Sequence, residues 1–565
     1  MKINASLGRK LRYGGTSAAL TALIIAAVIV INIIFSAVTQ SFMLYTDLTP
    51  PLHFTLSEEC LDLIENGDDS VAGSSSPIEM IKKFREENKK YNTEKGLSPS
   101  SPDWRDEELM LRIILCDDPD AWKANLMQRY IATSAHELEA AFPDYIEVVY
   151  IDTVRNPSAV SKYKENSLSL IYDDTVIVEC GSEFRTRTTK AFYTYDSATS
   201  ETPWAYNGEK ALAADILAVT RAENPVACID VSHGTAFEDY EFLQTLYDAG
   251  FDVQDINLVE DDIPENCRLM VIMNPTQDYR TGDDGMSDVD EIGKLDAALE
   301  RGVSLMVFMN PETQKLVELE SFLEEWGIVF DRTDGDSHLV RDPSQAVSTD
   351  GYAFFSEYAK ENRHSGMLSD LTSRPTPPEV VFKNAMSISY SDSFTLKTGY
   401  INEDDESTAY QYATKMVDGV STSIYDVFVT SDSAEAWAKG GQVEKAVEGA
   451  PLKLMTVSSR TVIKAESSYT AVSDHTFVFA CGSTDFASLA ALQGKYGNND
   501  VLLSVFRTVG KEITPIGLSP KAFSDTTIDI VTTSAATQYT VVFSVVPAVV
   551  ALAAGIIVLV RRKNR

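Results

Sequence analysis

The stretch that decides the fold begins Val226-Ala-Cys-Ile-Asp-Val231, breaks at Ser232-His233-Gly234, and repeats that grammar as far as Asp331. The apolar run 226–231 reads as a buried strand. A helix is predicted over Glu238–Ala249, closing at Gly250, the residue type that most readily takes the left-handed turn past a helix end. Phe251–Leu258 reads as a second strand, and Leu269–Met273 as a third ending in Asn274-Pro275. A helix over Asp288–Arg301 stops at Gly302. Val303–Met309 is a fourth strand ending in Asn310-Pro311, followed by a helix over Glu318–Trp326, Gly327 and a strand over Ile328–Asp331. Strand, helix, glycine, strand in repetition predicts an α/β fold with a doubly wound, mostly parallel sheet and right-handed crossovers.

Outward from this stretch, residues 222–515 read as one α/β domain carrying an insertion at about 370–470. A sharp strand at Thr476–Ala480 rejoins the sheet, and a helix follows over Asp500–Gly510. Before it, 106–221 reads as a smaller α/β domain. There Leu109–Cys116 and Ile146–Ile151 are β runs around a helix at Trp122–Phe142, Ser167–Cys180 is a hairpin turning at Asp173-Asp174, and Ala211–Arg221 is an apolar-periodic helix. Residues 39–105 read as a juxtamembrane segment with a helix-start signal at Ser57, followed from 65 by a polar linker that is helical at most around Pro77–Lys89. Residues 516–540 form a second linker.

The ends of the chain carry a different signal. Ala18–Val38 and Val541–Val560 contain no charged side chain, and each run is long enough as a helix to reach about 30 Å. Transmembrane helices are therefore expected over 14–38 and 541–560. Lys2, Arg9, Lys10 and Arg12 precede the first run, and Arg561, Arg562, Lys563 and Arg565 follow the second. The positive-inside rule makes 1–13 and 561–565 cytoplasmic tails. The expected localisation is thus a two-pass protein of the cell membrane with its large region extracytoplasmic.

The chain of 565 residues has 84 acidic and 48 basic side chains, a formal charge of −36. A nucleic-acid partner is disfavoured, because phosphate binding needs clustered Lys and Arg. Hydrophobic residues at 44% and charged residues at 23% fit a folded protein. The six cysteines, at 60, 116, 180, 228, 267 and 481, lack CxxC spacing and indicate neither a zinc ribbon nor a disulfide-dense scaffold.

Motif by motif, enzymatic chemistry finds little support. The three Gly-Lys pairs are followed by Leu295, Tyr496 and Glu512, so this sequence holds no P-loop. Gly-x-Ser-x-Gly and His-x-x-x-His are absent. Asp283, Asp284, Asp288, Asp290 and Glu291, and Asp331, Asp334 and Asp336 beside His338, bring carboxylates together without calcium-loop spacing, and solvated loops account for them. No catalytic residue, metal site or cofactor is called. Strand C-termini are where α/β folds hold ligands, which singles out Ser232, His233, Gly234, Asn274, Asn310 and Asp485 as candidate ligand-binding residues. The plainer reading of Ser232-His233-Gly234 is a polar turn.

Several further motifs carry a resemblance. They are Arg12-Tyr13-Gly14-Gly15, Asp47-Leu48-Thr49-Pro50, Phe54-Thr55-Leu56-Ser57, Gly208-Glu209 with Ala211-Leu212, Ile263-Pro264-Glu265, Trp326-Gly327-Ile328, Asp342-Pro343-Ser344, Gly482-Ser483 with Asp485-Phe486, and Gly497-Asn498-Asn499-Asp500. In this order the chain resembles the GldG-like family, auxiliary components of ABC-type transport systems associated with gliding motility. The resemblance implies an extracytoplasmic region like the GIFT domains of intraflagellar transport, working beside a separately encoded ATPase and permease. With the paired apolar ends and the missing P-loop, the expected function is a non-enzymatic, membrane-anchored accessory subunit of a bacterial ABC transporter, its extracytoplasmic domain binding substrate, envelope material or a partner subunit. The alternative is a membrane-anchored hydrolase or carbohydrate-active enzyme.

Overall fold

The computed structural model describes residues 54–523, except 69–70, 72–74, 165–170, 196–199, 201, 235–239, 283–288, 361–366, 403–408, 439–444, 448–450, 466–470 and 494. The first layer is a four-stranded sheet of β1 (Leu111–Cys116), β2 (Ile146–Ile151), β3 (Thr175–Cys180) and β4 (Glu183–Thr188), in the order β2-β1-β3-β4. Only β1 and β2 run parallel. The single helix expected at Trp122–Phe142 is two, Pro119–Ala124 and Leu126–Ala141. Asn125 ends the first, and its side chain accepts from the Met127 and Gln128 amides to cap the second. In the expected linker, Pro77–Lys95 is a helix with a Ser76/Glu79 capping box. Its Ile78 and Ile81 are buried with Trp122, Ile131 and Leu212, so this segment contributes to the core around the first sheet.

Two short strands, β5 (Tyr193–Thr194) and β6 (Ala205–Tyr206), lead to the helix Gly208–Thr220. All thirteen of its residues are buried, Glu209, Lys210 and Asp215 among them. Beyond it lie β7 (Val226–Asp230), β8 (Asp252–Ile256), β9 (Cys267–Met273) and β10 (Ser304–Phe308). The chain continues through β11 (Ile328–Phe330), β12 (Arg332–Thr333), β13 (Asp336–Arg341), β14 (Ala353–Tyr358), β15 (Val380–Lys383), β16 (Ile388–Tyr390), β17 (Thr395–Tyr400), β18 (Ala409–Val417) and β19 (Val420–Val429). The last strands are β20 (Glu435–Ala438), β21 (Lys445–Val447), β22 (Lys453–Ala465), β23 (Ala471–Cys481) and β24 (Lys521–Ala522).

The large sheet has thirteen strands, with the path β15-β14-β19-β22-β23-β10-β9-β7-β8. Parallel pairing is confined to its β23-β10-β9-β7-β8 end. Side chains there alternate between two cores. Ala227, Ile229, Val271 and Phe308 face one with the helices Glu241–Asp248 and Asn498–Gly510, while Val226, Cys228, Ile272 and Val307 face the other with Glu291–Glu300 and Val317–Glu325.

The expected fold class needs correction in two respects. The sheet is not a doubly wound, mostly parallel one. Eight of its twelve strand pairs are antiparallel, because strands between 353 and 481 join it as hairpins and long returns rather than through helical crossovers. Nor are flanking transmembrane helices part of the observed architecture. No helix among the described residues is long and apolar enough to cross a membrane. The expected spans at 14–38 and 541–560, the expected tails and the expected two-pass cell-membrane protein have no helix here to rest on, and those stretches lie outside the described residues.

Charge ties the first sheet to the rest. Arg187 on β4 bonds both oxygens of Asp215 at 2.8 Å and Asp248 at 2.7 Å, with all three side chains buried. Lys210 reaches Asn499 and stands 3.6 Å from Asp500. Lys521, beside the end of the described chain, bonds the Thr55 carbonyl and Glu209, whose other oxygen accepts from the Ser57 hydroxyl at 3.1 Å.

Candidate functional site

β7 is flanked by β8 on one side and β9 on the other, so the chain leaves it in one direction and returns past it in the other. Open parallel sheets present a ligand crevice at the C-terminal ends of strands around such a reversal. Asp230 is the last residue of β7, and Ser232, His233 and Gly234 follow. Gly234 has φ +71°, which turns the chain back sharply. The next turn, after β9, lies across this end. Thr276 and Gln277 donate their amides to the His233 carbonyl at 2.8 and 3.2 Å.

A closed polar network results. His233 Nδ1 is 2.7 Å from Asp230 Oδ2 and its Nε2 is 3.2 Å from Glu291 Oε2. Tyr279 donates its hydroxyl to Asp230 at 2.6 Å and stacks on the imidazole with ring centroids 3.7 Å apart. Ser232 Oγ donates to the other Asp230 oxygen at 2.5 Å and accepts from the Leu258 amide at 3.2 Å. Glu291 Oε2 also accepts from the Arg280 amide at 2.8 Å, whereas its Oε1 is buried without a partner. Asp230 and Glu291 are wholly buried, and His233 and Tyr279 nearly so.

Burial alone lowers the imidazole pKa, but Asp230 and then Glu291 outweigh it, and the His233 pKa lies above its ordinary value. Burial raises the Asp230 pKa, yet hydrogen bonds from His233, Ser232 and Tyr279 bring it below the usual carboxylate range. Burial and the Asp230 charge hold Tyr279 firmly as the phenol. The arrangement is an imidazole, its protonated form favoured, held between two acidic side chains under an aromatic cover. Ser232 is bonded to the carboxylate that orients the imidazole, and both ring nitrogens already face carboxylates, so the trio does not have the relay of nucleophile, base and orienting acid.

Of the six residues singled out from sequence, Ser232, His233 and Gly234 fall in this cluster. Asn274, in a left-handed conformation, accepts from the Thr313 hydroxyl at 3.3 Å, and Asn310 reaches Thr484 at 3.5 Å, forming a separate polar rim. Asp485 points elsewhere, to Asn384 at 2.8 Å and Lys383 at 3.3 Å. Sequence reading missed Asp230, a carboxylate closing an apolar strand just before Ser-His. It missed Tyr279 altogether and counted Glu291 only among loop acids.

Asp290 caps its own helix, and Asp331 accepts from Ser387 at 2.6 Å. Asp283, Asp284 and Asp288 lie outside the described residues. Among the described residues, Asp117, Asp118 and Asp152 come together at the ends of β1 and β2, each with an oxygen bonded to backbone amides.

Neither a protein-family profile nor a curated protein matches the chain. Three solved structures are similar to half of it. The N-terminal domain of mmIFT52 is 12% identical with a TM-score of 0.29, covered over 96% of its length. PurLQS from Thermotoga maritima is 13% identical with a TM-score of 0.22, covered over 99%. A cytoplasmic protein from Salmonella typhimurium is 10% identical with a TM-score of 0.24, covered over 98%. At these values the chain's own geometry carries the functional reading.

Proposed function

We propose that this chain is a non-enzymatic accessory subunit of an ABC-type transport system, acting through contacts with a separately encoded ATPase and permease. The observation that supports this reading is the state of the strand-end crevice. Where an α/β sheet of this kind would hold a substrate, the Tyr279 ring lies on His233, and both are pinned to Asp230. Such a filled crevice suits a protein that works through its surface, and the sequence motifs resembling GldG-like auxiliary components point to the partners.

The test is co-expression of the full chain with the ATPase and permease of its own transport operon, followed by affinity purification. Recovery of both partners in fixed proportion is the expected result. Recovery of neither, or hydrolysis of envelope polymers that His233→Gln or Asp485→Asn abolishes, would overturn the proposal.

A further inference from the structure

We infer that His233 is a proton-dependent latch, holding the 274–280 turn and the first turn of the helix Glu291–Glu300 onto the end of β7, and that loss of its proton frees both and uncovers the strand-end crevice. The inference concerns the chain alone and holds whether or not the transport reading does.

The asymmetry of the two carboxylates carries the argument. With its proton, the imidazolium donates Nδ1–H to Asp230 and Nε2–H to Glu291. A neutral imidazole has one N–H to give. Nδ1 lies 2.7 Å from Asp230, against 3.2 Å from Nε2 to Glu291, and this closer contact keeps the remaining hydrogen on Nδ1, where Ser232 Oγ also stands 3.1 Å away. Nε2 then turns a lone pair on Glu291 Oε2, 3.2 Å away. Glu291 keeps only the Arg280 amide, and its Oε1 is without a partner even in the closed state. A carboxylate so buried and so poorly bonded is relieved by moving into water.

Of the other charged groups nearby, Arg280 has its side chain exposed to water and three more are engaged elsewhere. Asp278 is pinned by the Glu318 and Leu319 amides. Asp290 accepts from the Gly293 amide. Lys294, on the same helix, donates to the carbonyls of Leu258 and Asp261 and lies 3.4 Å from Asp262. The pieces that would move are stitched to the latch. Thr276 and Gln277 bond the His233 carbonyl, Glu291 and Ile292 bond the Arg280 carbonyl, and Arg280 bonds Glu291 Oε2. Because the two carboxylates raise the His233 pKa, the latch holds to a higher pH than an ordinary imidazole would keep its proton, and opens as pH rises beyond that.

Hydrogen–deuterium exchange of the full chain, read by mass spectrometry from pH 6 to 9, tests this through the amides of 276, 277, 280, 291 and 292. After correction for the chemical exchange rate, these amides are expected to speed up at least tenfold with rising pH while β1–β3 stay protected. His233→Gln should show the fast rate already at pH 6. Glu291→Gln, which removes the stranded charge, should abolish the pH dependence, and it decides the matter if the histidine variant does not fold. A flat profile in the parent chain, a rise shared equally by β1–β3, a pH-dependent Glu291→Gln, or a folded His233→Gln that exchanges like the parent at pH 6 would each overturn the latch.

Discussion

Replacing Arg187 by methionine removes one cation from between two buried carboxylates. Arg187 has 3% of its side chain exposed, Asp215 2% and Asp248 10%, so water cannot take the place of the lost hydrogen bonds. Breaking a buried ion pair from one side costs about 3–5 kcal/mol, most of it from the charge left behind. The lower end applies to Asp248, which retains Gln244 at 2.9 Å, and the upper end to Asp215, whose two oxygens both depend on Arg187. Urea unfolding of the full chain at pH 7 should therefore show Arg187→Met destabilised by about 4 kcal/mol. Pairing it with Asp215→Leu should recover more than half, because an apolar pair leaves no charge unmet. The pH dependence adds a second readout. Burial already raises the Asp215 pKa against the pull of Arg187, and removing the arginine raises it further. A carboxyl whose folded pKa exceeds its unfolded one binds protons preferentially when folded, so the deficit should shrink as pH falls from 7 to 5. A loss below about 1 kcal/mol, or a double variant no better than the single one, would refute this account of how the first sheet is fastened.

Gly482→Ala would place a Cβ 2.1 Å from the Met386 carbonyl oxygen, backbone that cannot rotate away, and should cost about 3 kcal/mol in the same urea assay. Gly234→Ala meets only the movable Thr276 hydroxyl, so its cost should be the roughly 1–2 kcal/mol of a left-handed alanine. His233 contributes stability that is complete below its unfolded pKa of about 6.5 and lost as pH rises through its higher folded pKa. Parent stability should accordingly decline on the alkaline side more than that of His233→Gln. Burial pushes the thiols of Cys60, Cys116, Cys180 and Cys481 up to about 12, so iodoacetamide at pH 8 should leave these four unmodified until denaturant is added.

The local elements between 226 and 330 were legible because β7, β9 and β10 are covered on both faces and read as apolar runs, while the polar edge strand β8 was marked by the Gly250 stop before it. The helices between them end at Gly250, Gly302 and Gly327, with φ of +81°, +95° and +86°. The wider sheet was not. β19 and β22 mix Ser and Thr with apolar residues, which announces a strand but says nothing of its partner, and β14 and β16 find theirs in strands far along the chain, β19 and β22. Likewise, the position of Ser232-His233-Gly234 after a strand marked them. The groups that complete the network come from 49 residues away for Tyr279 with Asp230 and 58 for Glu291 with His233, a choice made by tertiary packing. Asp485 shows the reverse error: its place after β23 is right for a crevice, yet the loop turns it toward β15.

The clasp of Lys521 on Thr55 and Glu209 bears on how the chain is made. Those bonds span 466 and 312 positions, so the segment around Thr55 waits until position 521 has left the ribosome before its closing cation arrives. Until then Glu209 sits in a half-built pocket without its countercharge. Nascent chains halted before 521 should thus remain sensitive to protease around Thr55 and Glu209, which a longer chain carrying Lys521 would protect.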